Sequence, residues 1–337
     1  MKKIVHRPQA EVSRPRFGHC RVWVESPLQL LSAVETHAAG LLGSNTRIVP
    51  RQNMPLEATT KALLQAAPRG LAIAEPSRNP PASLSTDERW VTGDAYSGRV
   101  QRALLGPVQS REVVIIDDGL ATLALIRQLT SQDPVPLVRE RVENSAGRRA
   151  LGLALWYRLR FMARDQRLLI VSALDVDEPT RERMEQLGIK FAQHRFEWLT
   201  AQPVAESFAE PTLVIGSAMS TDGLIHPEPY LEWLRDVAQD GPLAYFPHRR
   251  ETPHLLELIG RIPNVRLKEH TIPIEMRLRR LRSGQLIRSL PSTVVPSLRL
   301  LLGTQRHQVI PQAVPEHWWT AATSRQLREH LSNSLKV

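Results

Sequence analysis

Residues 113–119 read Val113-Val114-Ile115-Ile116-Asp117-Asp118-Gly119, a β-branched run that ends in two carboxylates and a glycine. An apolar helical pattern follows over 120–130. A short strand without polar positions is typical of a parallel sheet covered on both faces, and such sheets bind ligands at the carboxyl ends of their strands. The stretch therefore predicts an open α/β sheet with a binding site beside Asp117 and Asp118.

The rest of the chain repeats this alternation of strand and helix patterns. Ser26-Pro27-Leu28-Gln29 follows a first strand pattern and has the form of a capping box with proline at the first helical position. Further strands are predicted near 20–25, 47–49, 70–74, 89–92, 168–171, 212–216, 243–246, 265–267 and 286–290. Helices are predicted near 58–66, 98–105, 150–163, 179–187, 228–238, 252–261, 273–282 and 293–302, with a last one from Glu316 toward Leu331. This order favours mostly parallel, doubly wound sheets.

The length of 337 residues favours two domains over one. Residues 189–211 have no clean periodicity and include Pro203 and Pro211, so we predict a linker there. The expected organisation is an N-terminal Rossmann-like domain over 1–188 and a C-terminal one over 212–337. We expect the two halves to face a cleft.

The composition favours an anionic partner. The chain has 44 Lys and Arg against 34 Asp and Glu, a formal charge of +10, which suits a sugar nucleotide, a nucleic acid or an acidic membrane surface. The single cysteine, Cys20, excludes an internal disulfide framework and is typical of a reducing compartment. No run approaches the roughly 20 apolar residues of a membrane span. We expect a cytoplasmic protein, soluble or peripheral at the inner face of the membrane, and its oligomeric state stays open.

Sequence motifs for several other chemistries are absent. There is no HExxH motif, no paired cysteines, no GxSxG elbow and no GxGxxG or Walker spacing, so neither a metal nor a dinucleotide or ATP site is expected. The interval from Arg277 through Arg299 is the best candidate for nucleic-acid binding, but no aromatic residue interleaves with its arginines. We therefore do not expect a nucleic-acid partner.

Asp117 and Asp118 are candidate catalytic residues because they follow a predicted strand. One carboxylate could act as general base toward a hydroxyl, while the other orients it or caps the next helix. Gly119 permits the tight turn that this arrangement needs. The alternative is that both aspartates only cap the helix over 120–130.

Pro247-His248-Arg249-Arg250-Glu251 places an imidazole and two guanidinium groups after the predicted strand 243–246. His248 could protonate or hydrogen-bond a leaving phosphate, and Arg249 and Arg250 offer forked donors to its oxygens. A solvated basic loop is an equally good interpretation.

Three more polar segments follow predicted strands or begin predicted helices. The loop from Gly216 and Ser217 to Gly223 could hold a ligand, and its Asp222 is a competing candidate base. Ser292 and Thr293 could bind an anion at a helix start or serve as ordinary caps. Glu275 could hold a ribose or a base, although a charge favourable to the helix dipole is the simpler interpretation.

Taken together, these segments resemble the bacterial sialyltransferase and polysialyltransferase families that build capsules and lipooligosaccharide. The similarity runs from about Val22 to about Leu302. It rests on 25–35, on Gly93-Asp94-Ala95-Tyr96-Ser97, on 116–119, on Gly216 with Asp222-Gly223-Leu224-Ile225, on 245–251, on Pro273-Ile274-Glu275 and on Ser292-Thr293.

The resemblance implies a GT-B architecture, with a cytidine-monophosphate sugar between two Rossmann-like domains. Such enzymes invert the anomeric centre without a metal or another cofactor, and their partners are a nucleotide-sugar donor, here CMP-sialic acid, and a glycan acceptor. The acidic base motif falls on Asp117-Asp118-Gly119, with Asp118 preferred, whereas some relatives have a base that matches Asp222. The histidine that contacts the donor phosphate falls on His248, although Arg249 stands where proline is usual.

The resemblance places the serine and threonine that hold the nucleotide phosphate at Ser292 and Thr293. The predicted substrate-binding set also contains Ser26, Gln29, Gly119, Gly216, Ser217, Arg249, Arg250 and Glu275. Two alternatives remain open: a related glycosyltransferase with another nucleotide-sugar donor, and a noncatalytic protein that binds an anionic polymer on the same scaffold.

Overall fold

The computed structural model describes residues 18–81, 88–106, 112–139, 145–204, 206–269, 271–292, 294–325 and 328. The chain divides after Trp198 into two units, Met1–Trp198 and Leu199–Val337. Each unit is built on its own parallel sheet with helices between the strands. The predicted class, α/β with two doubly wound parallel sheets, is confirmed.

The first unit contains a seven-stranded sheet of order β3-β2-β1-β4-β5-β6-β7. Its strands are β1 His19–Val24, β2 Asn45–Pro50, β3 Leu71–Ile73, β4 Glu88–Thr92, β5 Val113–Ile115, β6 Leu168–Ser172 and β7 Lys190–Gln193. The chain runs outward from β1 to β3 and then returns to β4, which lies beside β1. The order of strands therefore reverses between β1 and β4, and at such a switch point the loops diverge and leave room for a ligand.

Helices alternate with these strands. They are α1 Pro27–Ala38, α2 Glu57–Leu64, α3 Gly98–Leu105, α4 Leu120–Thr130, α5 Ala146–Arg164, α6 Glu178–Gln186 and α7 Glu197–Ala201. The helix α1 begins as predicted, because Ser26 Oγ accepts the backbone N–H of Gln29 at 3.2 Å and Pro27 lies in the first turn. Trp23, Trp90, Leu155 and Ile170 form part of the buried core of this unit. Each such side chain contributes roughly 1.5–3 kcal/mol through burial.

The second unit contains a five-stranded sheet of order β10-β9-β8-β11-β12, and all its pairings are parallel. Its strands are β8 Thr212–Ile215, β9 Leu243–Phe246, β10 Val265–Leu267, β11 Leu286–Ser289 and β12 Val309–Pro311. Its helices are α8 Pro227–Gln239, α9 Pro253–Gly260, α10 Ile274–Arg277 and α11 Val294–Leu302. The switch point lies between β8 and β11. Tyr230, Trp233, Tyr245 and Trp318 are part of the core.

The structure differs from the sequence prediction at 189–211. This segment was expected to be a linker, but it contains β7, which pairs with β6 from Leu169↔Lys190 to Ser172↔Gln193. The strand was missed because β7 is an edge strand in which only Ala192 is buried, so it has no apolar run. A boundary at residue 188 would separate β7 from its sheet.

Two predicted helices are also shorter than expected. The helix predicted over 273–282 ends at Arg277, because Leu278 leaves the helical region with φ −104° and ψ 51°. The guanidinium of Arg279 donates to the carbonyls of Leu199 and Pro203, both at 2.8 Å, and thereby holds an irregular segment. The helix predicted from Glu316 toward Leu331 begins later than expected: Glu316–Trp318 is a 3₁₀ turn, whereas Arg325 and Arg328 are helical and the Arg328 N–H donates to the Ser324 carbonyl at 3.1 Å. Most residues after 325 lie outside the described part of the chain.

Candidate functional site

Polar residues collect at the carboxyl edge of the first sheet. Glu25 and Ser26 follow β1, Asp94 follows β4, and Asp117 and Asp118 follow β5. The strands β1, β4 and β5 are adjacent in the sheet, so their carboxyl ends lie side by side. The side chains of these residues consequently meet at the switch point of the first unit.

Asp118 contacts groups from three different loops. Ser26 Oγ donates to Asp118 Oδ1 at 3.2 Å, and the side chain of Gln29 also donates to this carboxyl group. Arg139 Nη2 lies 3.9 Å from Oδ2. The backbone N–H of Asp118 donates to Thr122 Oγ1 at 2.8 Å, which fixes the start of the turn. The side chain remains 15% exposed and is therefore accessible to a ligand.

The pKa of Asp118 is raised to about 7. Burial is the main cause, and the negative charge of Asp94 adds to it, while Gln29 and Arg139 oppose the shift. A carboxyl group with this pKa is partly ionised at neutral pH, and it binds a proton far more tightly than an exposed aspartate does. Such a group can accept a proton from a hydroxyl, which is the property of a general base.

Asp117 has a different environment from its neighbour. Its side chain is buried and accepts hydrogen bonds from Ser172 Oγ at 3.0 Å, from the Gly119 N–H at 3.2 Å and from the Ala173 N–H at 3.3 Å. Burial raises its pKa to about 6. Asp117 thus ties the turn after β5 to the turn after β6, and this geometry suits positioning of Asp118 better than contact with a substrate.

The structure also bears on the capping alternative for the two aspartates. Gly119, with φ +68°, is the N-cap residue of α4, and within the described residues no side chain caps this helix. A φ in the left-handed region favours glycine. The carboxylates therefore serve the turn and the sheet edge, not the start of α4.

We expect Asp117→Ala to lower the free energy of unfolding by about 2–3 kcal/mol, because it leaves several buried hydrogen-bond donors without an acceptor. Urea denaturation of the variant and the wild type measures this difference. Asp175→Ala is a matched control, since its side chain is 71% exposed and follows the neighbouring strand β6. A loss as small as that of the control would contradict the positioning role of Asp117.

Sequence reasoning did not assign a role to three residues at this edge. Asp94 is buried and accepts Arg139 Nη2 at 2.7 Å, so that Arg139 lies between Asp94 and Asp118. Glu25 accepts Trp23 Nε1 at 2.8 Å, Ser97 Oγ at 2.9 Å and Arg51 Nη1 at 3.1 Å. The position of Asp94 after a predicted strand was a usable signal, whereas nothing in the sequence marks Arg139.

The second unit presents polar groups at the same edge of its sheet. His248 is half-buried in the turn after β9, and its Nδ1 accepts the backbone N–H of Arg250 at 3.2 Å. In the neutral imidazole the proton is therefore on Nε2, which can donate to a ligand. Arg249 and Arg250 are exposed beside it.

A buried polar network lies beneath His248, and sequence reasoning missed it. Glu251 accepts the His248 backbone N–H at 2.6 Å, the backbone N–H of Ser217 and the hydroxyl of Tyr245, which lies 2.8 Å from the hydroxyl of Tyr230. Burial raises the pKa of Glu251 to about 7. One carboxyl group therefore holds the turns after β8 and β9 together.

Gly216 is required by this network. A Cβ at this position would lie 2.5 Å from Glu251 Oε2 and 2.8 Å from both the His248 backbone nitrogen and the Tyr245 hydroxyl. Ser217, the next residue, is buried and accepts the Met219 N–H at 3.2 Å. The structure thus brings together Gly216, Ser217 and His248 of the predicted set.

Asp222, the competing candidate base, forms an ion pair with Arg250 at 2.9 Å. A guanidinium at this distance competes for the carboxylate oxygens that a base would use. Among the remaining predicted residues, Ser292 accepts the Val294 N–H at 3.3 Å and thus caps α11, while Glu275 is buried in the short helix α10. Thr293 lies outside the described residues.

The described part of the chain also bears on metal binding and on membrane spanning. No group of three His, Cys, Asp or Glu residues there is arranged to hold a metal ion. No helix there is long and apolar enough to cross a membrane.

No protein-family model and no curated protein sequence matches this chain. The protein belongs, by its own topology, to the class of two-unit doubly wound α/β proteins. The resemblance of its motifs to sialyltransferases is therefore still a prediction.

Several solved structures are similar to the chain. A UDP-glucose:anthocyanidin 3-O-glucosyltransferase in complex with UDP is 11% identical, with 96% of this chain and 94% of that chain covered and a TM-score of 0.47. A UDP-glucosyltransferase from Polygonum tinctorium is 9% identical, with 95% of this chain and 94% of that chain covered and a TM-score of 0.48. A 2,6-sialyltransferase of a Photobacterium species, in complex with CMP and lactose, is 12% identical, with 94% of this chain and 76% of that chain covered and a TM-score of 0.48. Identities and TM-scores this low carry no information about the donor, the acceptor or the activity of this chain.

Proposed function

We propose that the protein is a glycosyltransferase that moves a sugar from a nucleotide-activated donor to a hydroxyl group of a glycan acceptor. The observation that carries this proposal is Asp118, a carboxyl group with a pKa of about 7 that remains accessible at the switch point of a parallel sheet. A sheet edge of this kind is where ligands of open α/β proteins bind. A carboxylate with this affinity for protons is suited to take one from an alcohol.

The reaction is a single displacement. Asp118 accepts the proton of the acceptor hydroxyl while the hydroxyl oxygen forms a bond to the anomeric carbon of the donor sugar. The bond from that carbon to the phosphate oxygen breaks, and the phosphate leaves with the electron pair. Within the second unit, the His248 Nε2–H and the Arg250 guanidinium are donors of the kind that stabilise the growing negative charge of a departing phosphate. Attack opposite to the leaving group inverts the configuration at the anomeric carbon.

Asp118 is a better candidate for the base than Asp222. Asp222 Oδ1 forms an ion pair with Arg250 Nη1 at 2.9 Å, so a carboxylate oxygen that a base would use is already engaged by a guanidinium. Asp118 lies 3.9 Å from Arg139 and near the negative Asp94, and its net shift is toward tighter proton binding. We therefore assign Asp222 to the positioning of Arg250.

We infer further that the donor is CMP-activated sialic acid and that the acceptor is a precursor of a cell-surface glycan. This choice rests on the order of the short motifs, from Glu25-Ser26-Pro27 to Ser292-Thr293, and not on the geometry of the site. A formal charge of +10 suits an anionic donor and an acidic acceptor.

A panel of donors tests the proposal. The protein is incubated with CMP-sialic acid, UDP-glucose, UDP-N-acetylglucosamine and GDP-mannose, and release of the free nucleotide is measured with and without a lactose acceptor. We expect CMP-sialic acid to be consumed fastest. If only a UDP-sugar or a GDP-sugar is turned over, the proposal of a glycosyltransferase stands, but the proposal of CMP-sialic acid as the donor is wrong. Binding of an anionic polymer without consumption of any donor would favour the noncatalytic alternative.

The proposed role of Asp118 predicts a pH dependence. Only the ionised carboxylate can accept a proton, and the raised pKa means that ionisation is lost as the pH falls below about 7. We expect kcat/KM to fall about tenfold per pH unit below that point. Initial rates at fixed ionic strength from pH 5 to pH 8 measure the profile. A rate that stays constant down to pH 5 would exclude Asp118 as the base.

A further inference from the structure

The helix α5, Ala146–Arg164, has an unusual charge pattern. It contains five arginines, Arg148, Arg149, Arg158, Arg160 and Arg164, and no acidic residue. Two of them make contacts within the unit: Arg148 donates to the carbonyl of Tyr96 at 2.6 Å and to the side chain of Gln101, and Arg160 donates to the carbonyl of Leu129. Arg149 and Arg164 are exposed, and Arg158 and Arg160 are half-buried, so the outer part of this helix has a strong positive charge.

The outward face of α5 is apolar. Leu155, Leu159 and Met162 are buried in the core of the first unit. On the opposite side, Tyr157 is 55% exposed and Phe161 is 52% exposed. The exposed alanines Ala146, Ala150 and Ala154 continue this line toward the start of the helix at spacings of three and four residues, which places them on one side. We call these five residues the outer stripe.

Arginines flank the outer stripe on both sides. Helical geometry places Arg149 and Arg160 along one flank and Arg158 along the other. Arg160 lies over the ring of Trp156, with 5.0 Å between Cζ and the ring centroid, and donates to the carbonyl of Leu129 at 2.6 Å. Burial, and then the charges of Arg183 and Arg164, lower its pKa, which shows how close these cations lie.

The end of the stripe borders an open groove of about 430 Å³ between α5 and the segment after α4. Trp156, Tyr157 and Phe161 line it together with Arg160 and Arg164. The nearest acidic residue along the chain, Asp165, is paired with Arg167 at 2.7 Å. The surface therefore combines aromatic rings with cations.

We propose that the outer stripe of α5 docks the protein on an anionic membrane surface. Aromatic and aliphatic side chains on one line, flanked by arginines, are the pattern of helices that lie in the boundary between headgroups and acyl chains. Each arginine near an anionic leaflet adds electrostatic attraction. An acidic glycan fits less well, because the three alanines and Phe161 of the outer stripe offer no hydrogen bonds to sugar hydroxyls, and Tyr157 contributes a single hydroxyl group. The proposal does not depend on the proposed function.

Vesicle flotation tests the proposal with the full chain. Vesicles of phosphatidylcholine with phosphatidylglycerol are compared with vesicles of phosphatidylcholine alone. We expect the wild type to float only with the anionic vesicles. Tyr157→Ser with Phe161→Ser, and separately Arg149→Gln with Arg164→Gln, are each expected to weaken binding about tenfold or more.

Matched controls separate this surface from general basicity. Arg47→Gln with Arg69→Gln removes the same charge from exposed positions of the same unit, and Leu64→Ser removes another exposed apolar side chain. Both controls are expected to bind like the wild type. The proposal is overturned if the wild type ignores anionic vesicles or if the controls lose as much binding as the α5 variants. It is also overturned if soluble polysialic acid, and not the vesicles, binds through the same residues.

Discussion

Replacing Asp118 by asparagine is expected to lower kcat/KM by about 100-fold to 10,000-fold, the usual contribution of a general base. The amide oxygen can still accept the hydroxyl of Ser26, which now lies 3.2 Å from Oδ1, so the turn after β5 is retained. Asparagine cannot take a proton from a hydroxyl at any accessible pH. We therefore expect the loss to appear in kcat, with little change in the affinity for the donor nucleotide.

Two matched variants make this experiment decisive. Asp175→Asn removes an exposed carboxylate from the loop after β6 and is expected to leave activity unchanged, since its side chain is 71% exposed and paired with Arg181. Asp222→Asn removes the competing base. Initial rates and calorimetric titration with the nucleotide are measured for all three. If Asp222→Asn loses more activity than Asp118→Asn, the assignment of the base must move to the second unit.

Replacing His248 by alanine is expected to lower kcat by about 100-fold to 1,000-fold, as the loss of one donor to a developing negative charge does. Because Nδ1 accepts the Arg250 N–H, the neutral imidazole has its proton on Nε2, and this N–H is the donor that we assign to the departing phosphate. Glutamine can place an amide N–H close to the position of Nε2. We therefore expect His248→Gln to recover part of the activity that His248→Ala loses.

The readout for His248 is a comparison of donors with different leaving groups. If His248 stabilises the departing phosphate, a donor with a better leaving group should be less sensitive to its loss. His254→Ala is the control, because His254 is an exposed histidine of the same unit near the start of α9. An equal loss for both donors, with no rescue by glutamine, would instead indicate a structural role in the turn after β9.

The fold could be predicted from the sequence wherever a strand is buried on both faces. Val113 to Ile115 and Leu168 to Ser172 are apolar or small and fully buried, so their patterns are unambiguous. The edge strand β7 has one exposed and two half-buried positions beside one buried alanine, and in β12 only Val309 is buried. Such strands form because they pair with a neighbouring strand and not because of their own composition. The local sequence pattern does not predict this pairing.

Only those residues of the candidate site that follow a recognisable strand could be predicted from the sequence. Asp117, Asp118 and His248 follow strands directly, and this position made them candidates. The contact of Arg139 with Asp94 joins residues that are 45 positions apart. The hydroxyl of Tyr230, in α8, contacts the hydroxyl of Tyr245, in β9. These contacts depend on packing, so no spacing in the sequence announces them. The strand pattern likewise did not distinguish the buried Asp117 from the accessible Asp118, and only the family resemblance favoured Asp118.

In each unit a glycine directly follows a strand, β4 or β8, and a neighbouring residue fills the space that a side chain at this glycine would need. At Gly93 the space is filled by Gln29, and at Gly216 by Glu251 and the turn of His248. These two glycines are poor positions for substitutions that aim to alter the range of substrates. Even one added methyl group displaces a residue that shapes the site. Diversity is better introduced at exposed side chains such as Arg249, where a library can vary size and charge without disturbing the scaffold.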